Sequence, residues 1–147
     1  MTHPRPSAVV FFTCGLWLIG LGVYFAVFRP AFLPEDLRYI GGSIGPGAVS
    51  LAGIERWLKH VFIVMGGFIA ASGVLTAFLA VSAVPARWRG TGVVLSIAGL
   101  ATVATMSGTN FVIDSQFKWL LLVPAVLWGA GIAAYALERD GGGSLGR

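Results

Sequence analysis

The chain is poor in charge. Only 11% of its 147 residues are charged, against about 25% in an ordinary soluble domain. Four stretches, 6–28, 61–86, 90–113 and 119–137, hold no Asp, Glu, Lys or Arg. Ion-coupled carriers, pumps and voltage sensors keep an ionisable group in mid-membrane despite a cost of at least about 2.5 kcal/mol, so its absence argues against all three. Cysteine is almost missing as well. With Cys14 alone, an intramolecular disulfide and a Cys-x-x-Cys redox relay are excluded. Cys14 reads as a small packing residue. Histidine is limited to His3 and His60, which gives no ligand spacing of the kind that zinc or iron sites show. No metal and no cofactor is expected. There is also no dense basic run. The net charge of +4 is spread over loops, where basic residues flank membrane spans, and no nucleic-acid partner is expected.

What the chain has is apolar length. Hydrophobic residues make up 56% of it. Each uncharged stretch can cross a hydrocarbon core of about 30 Å, which needs roughly 20 helical residues. The expected architecture is all-α: a four-transmembrane-helix bundle forming a single membrane domain over 1–147. Its spans fall at about 7–28, 57–84, 90–110 and 119–137, with a short amphipathic helix at 34–40 in the first loop and a flexible tail at 138–147. The first stretch is too long for the usual apolar core of a signal peptide, and Val27-Phe28-Arg29-Pro30 offers no small-residue cleavage site. It reads as a retained helix.

The first loop carries its own signals. Pro34 suits a first helical turn, Glu35 and Asp36 suit the positive end of a helix dipole, and Gly41 permits an exit. Leu33, Leu37 and Ile40 fall on one face, so this helix is expected to lie on the bundle or in the interface. Arg87 and Arg89 occupy a very short loop without acids, where the positive-inside rule is strongest. Both termini are therefore expected in the cytoplasm.

Lipid gives helices little hydrophobic reason to associate, so close approach at small residues matters. Helix two offers Gly66, Ala70, Gly73 and Ala77 in one groove. Helix four offers Ala125, Gly129, Ala133 and Ala136, helix one Gly15, Gly22 and Ala26, and helix three Gly92, Ser96 and Gly99. Contacts within the chain are the simpler expectation, and a homodimer through helix two or four is the alternative. Thr102, Thr105 and Thr109 form a hydroxyl row, which in membrane helices more often bonds back to a carbonyl one turn earlier than lines a path. Pro124 should kink helix four and free a carbonyl near Leu120. Trp17, Trp57, Trp88 and Trp119 read as interfacial anchors.

Polar groups gather at the membrane face opposite Arg87. Glu35, Asp36, Arg38, Tyr39, Arg56, His60, Asn110 and Asp114 form a candidate rim site, suited to a lipid head group or an acid–base pair. A solvated rim is the simpler reading.

Residues 28–43 read Phe-Arg-Pro-Ala-Phe-Leu-Pro-Glu-Asp-Leu-Arg-Tyr-Ile-Gly-Gly-Ser. Together with Gly66-Gly67-Phe68 and Gly73, this run resembles small four-helix bacterial membrane proteins of the loose DoxX-like group. The resemblance covers spans one and two. It implies a multi-pass protein of the bacterial inner (cytoplasmic) membrane and brings no activity with it. The expected function is that of a structural, accessory or lipid-interacting four-helix protein without catalytic chemistry, its partners being membrane lipids, a second copy or another membrane protein. The alternative is a small enzyme or carrier for an apolar, lipid-like molecule at the rim. A cavity beside His60 and Asp114, lined by Tyr39 and the threonine row, would favour that alternative. A solid bundle would favour the first reading.

Overall fold

The computed structural model describes residues 5–33, 36 and 51–140. They form four long apolar helices and, among the described residues, no strand. Helix α1 spans Pro6–Phe28, helix α2 spans Leu51–Val81 with a short extension at Ala83–Ala86, helix α3 spans Thr91–Val112, and helix α4 spans Lys118–Asp140. At 31 residues, α2 is about 46 Å long, well beyond a hydrocarbon core of about 30 Å. Its polar first turns, with Arg56 and His60, thus belong outside the apolar layer. Large apolar side chains cover the outside. Phe68 is 72% exposed and Val112 79%. An apolar surface on this scale is stable in lipid and not in water, which makes the chain a multi-pass membrane protein.

The tight turn between α2 and α3 needs two left-handed residues. Arg87 has φ 54° and Gly90 φ 84°. Glycine takes that conformation without strain, whereas arginine does not. Arg87 is held there by the bonds described below.

Helix α1 is the centre of the molecule. It packs along its length on α2 and on its other side on α4, while α3 packs on α4. Helices α2 and α3 barely touch. Glycine makes the α1–α2 approach close. A Cβ built on Gly73 would lie 2.6 Å from the Gly15 carbonyl oxygen, and one on Gly66 would lie 2.5 Å from that of Gly22. Ala70 and Ala77 complete this face of α2, against Gly22 and Gly15.

The α4 contacts follow a different rule, in which aromatic rings fill glycine notches. Phe11 sits over Gly131, Trp128 over Gly99 and Tyr135 over Gly92. Phe11 and Trp128 meet edge to face at 5.7 Å, and the buried Trp128 indole donates to the Leu95 carbonyl at 2.9 Å. This corrects the helix-four stripe. Gly129 and Ala133 are exposed, and a Cβ on Gly129 would meet nothing within 4 Å. The inward face of α4 is instead Leu121, Pro124, Trp128, Gly131 and Tyr135, because interlocking large rings fill more interhelical space than a second smooth seam. Around Pro124, Ser107 donates to the Leu121 carbonyl at 2.8 Å and Cys14 to the Pro124 carbonyl at 3.5 Å.

Candidate functional site

The loose α2–α3 seam opens a cleft floored by α1. Its inner chamber, about 400 Å³, is lined by Leu18, Met65, Phe68, Ile69, Ser72, Ala101, Thr102, Val103, Thr105, Met106, Thr109 and Asn110. An outer chamber of about 280 Å³ shares Met65, Ile69, Met106 and Asn110 with it, and adds Tyr24, Phe25, Arg29, Leu33, Asp36 and Phe62 among others. The lining is largely apolar. Such concave, mostly apolar volumes with a few placed polar groups suit small lipophilic molecules.

Local backbone irregularities face this cleft. Helix α1 loosens into a π-turn at Tyr24–Phe28, where the Arg29 amide donates to the Tyr24 carbonyl at 2.9 Å. Helix α3 does the same at Leu100–Ala104, and the Thr105 hydroxyl reaches the Leu100 carbonyl at 2.8 Å. Both stretches contribute lining residues. Single π-turns inside α-helices recur at functional sites.

The mouth carries an ion pair. Arg29 donates to the Asp36 carboxylate at 3.2 Å, and its guanidinium lies 3.7 Å over the Phe62 ring and 5.5 Å from that of Phe25. Asp36 also accepts the Leu33 amide at 2.9 Å. A cation held by an aromatic face and a carboxylate is well compensated where water is scarce.

Of the rim residues, the structure brings Asp36 and Asn110 to this cleft. Arg56 and His60 do not line it. Both are exposed, Arg56 donating to the Ala52 carbonyl and His60 bonding the Arg56 carbonyl at 2.7 Å. Asp114 pairs with Lys118 on its outer edge. Glu35, Arg38, Tyr39 and the remainder of the 34–40 helix lie outside the described residues, as do 41–47 and 141–147. In the threonine row, Thr102 bonds back to the Ala98 carbonyl at 2.6 Å, yet all three threonines line the cleft.

Two features went unread in the sequence. One is Arg29, for which Phe25 four residues earlier is the local sign of an aromatic partner. The other is a polar tie at the opposite membrane face. The Ser7 amide and hydroxyl donate to the Glu138 carboxylate at 2.8 and 2.9 Å. Arg87 donates to Glu138 at 3.2 Å and to the Tyr135 carbonyl at 2.7 Å, with its guanidinium 4.1 Å from the Tyr135 ring centroid. A four-span topology puts 7, 87 and 138 on one side, which was the available signal.

No family model, curated protein or solved structure matches the chain. The chain is a small protein whose described residues form four long apolar helices, and the comparisons add no family to it.

Proposed function

We propose that this multi-pass protein is a lipid-interacting protein that takes an apolar, lipid-like molecule from the bilayer into the α2–α3 cleft. One observation carries the reading: two neighbouring spans leave a joined pair of apolar chambers, with the Arg29–Asp36 pair at one end. In a membrane such a groove fills with chain, because water there would lack partners. The side chains that line the inner chamber are apolar groups, hydroxyls and an amide, an inventory suited to holding a molecule. The threonine row inside the cleft and the ion pair at its mouth favour, as a second reading, a small carrier or enzyme working on the same molecule at the rim, whereas His60 and Asp114 do not line the cavity. The membrane is proposed to be a bacterial inner membrane, with both termini in the cytoplasm.

The test is photolabelling of the purified protein in phosphatidylcholine vesicles by a stearyl chain bearing a diazirine. Label should concentrate on residues 62–72 and 101–110. Ala101→Trp, which places an indole in the cleft, should remove that label and leave the melting temperature in place. Equal labelling of the outward faces at Val74, Leu75, Val93 and Val94 would overturn the proposal.

A further inference from the structure

We infer that the ligand held in the inner chamber carries a hydrogen-bond donor, a hydroxyl or an N–H, in place of acceptors alone. The inference rests on the cleft reading above and names the chemical class that the cleft selects. A serine or threonine hydroxyl has one proton and two lone pairs. At the mid-membrane end of the inner chamber those protons are already committed. Ser72 donates to the Phe68 carbonyl at 2.9 Å, Thr102 to Ala98 at 2.6 Å and Thr105 to Leu100 at 2.8 Å. Asn110, at the rim end, donates one amide N–H to the Met106 carbonyl at 2.8 Å and keeps a second N–H beside its side-chain oxygen. From Thr105 inward, the hydroxyls of the chamber therefore present a ladder of lone pairs. Thr109, at the rim end, is the lining hydroxyl whose proton is uncommitted. The other donors, Arg29 and Tyr24, belong to the outer chamber.

Hydrocarbon supplies no water to satisfy the oxygens of a bound molecule or of the wall. A ligand with only ether, ester or ketone oxygens would meet lone pairs with lone pairs at Ser72, Thr102 and Thr105. A lipid alcohol or amide would meet them with a proton. The hydroxyl row then acts as a specificity filter for single-chain or polycyclic alcohols over their capped counterparts.

The experiment uses the full chain in phosphatidylcholine vesicles, labelled with octadecanol bearing a mid-chain diazirine. Octadecanol and octadecyl methyl ether compete at equal mole fraction in the membrane. The ether lacks the donor and carries one methyl group in its place. Octadecanol should protect residues 65–72 and 101–110 about ten-fold better than the ether, as expected for one hydrogen bond within a membrane. Thr102→Val with Thr105→Val should bring the two competitors together while the cleft still labels. Ser72→Ala, alone, should narrow the gap and serves as the second variant should the double change fail to fold. Equal competition in the unaltered protein would overturn the inference and leave the cleft reading standing. A preference that survives these variants would overturn its assignment to these hydroxyls. Label outside the cleft, with no protection by either compound, would overturn the cleft reading itself.

Discussion

At the scale of residues, glycine has two uses in this protein. On the α1–α2 seam it lets two backbones meet, as Gly15 and Gly22 do against Gly73 and Gly66. Toward α4 it makes a notch for a ring, as Gly131 does for Phe11. Gly67 does neither, having open space around it. The difference is testable. Gly73→Leu should lower stability in detergent by about 1–3 kcal/mol or more, because the added volume has backbone on its far side. Gly67→Leu, one turn and a half away and facing outward, should leave detergent melting close to that of the parent. Equal losses from both would mean that the seam is not where these contacts put it. Spacing in the sequence showed that α2 has a small-residue face. It could not separate the two uses, since a glycine that opposes a backbone and one that opposes an indole look alike in a list of residues.

At the scale of elements, the ends of the helices are tied by groups from other helices. The first turn of α1 has orphan amides, and no side chain of its own caps them. Glu138, at the far end of α4, supplies the acceptor, and a carboxylate at a helix N-terminus also suits the dipole. Arg87 then holds Glu138, fastening the α2–α3 turn to both. Its side chain and that of Glu138 are 19% and 18% exposed, so solvent screens the pair only in part. Arg87→Lys should not restore the tie, because a single ammonium cannot reach the Tyr135 carbonyl and the carboxylate as a planar fork does. Glu138→Gln should weaken it as well, by about 1–3 kcal/mol for a bond to a charged group. Thermal melting in one detergent, run on both variants and on Trp88→Phe as a surface control, decides the matter. A melting temperature unchanged in Arg87→Lys would show that the fork is not needed.

At the scale of the whole molecule, the order of packing is α2, α1, α4, α3, and the ring of four is not closed between its ends. That open seam is what makes the cleft. The same arrangement brings the start of α1, the α2–α3 turn and the end of α4 to one face. Orientation follows from Arg87 and Arg89, and it too can be measured. In a Cys14→Ser background, Ala86→Cys should escape an impermeant thiol reagent in intact cells, while Gln116→Cys should be labelled. The reverse pattern would invert the orientation and leave the spans as they are.

Residue order by itself determined that the described chain is built of helices and that four of them are long and apolar enough to cross a membrane. Each of these depends on a local quantity, the run length of apolar residues between charges, and hydrocarbon enforces it span by span. Which side of each helix turns inward was a tertiary decision. In lipid the outer face is as apolar as the inner one, so hydropathy carries little directional signal, and Gly129 and Gly131 are equivalent until Phe11 fills one of them. The cleft was decided in the same way. Thr102, Thr105 and Thr109 were visible as a hydroxyl row on α3, but their use depended on α2 standing away from α3 while α1 draws α2 to itself through Gly15, Gly22, Gly66 and Gly73.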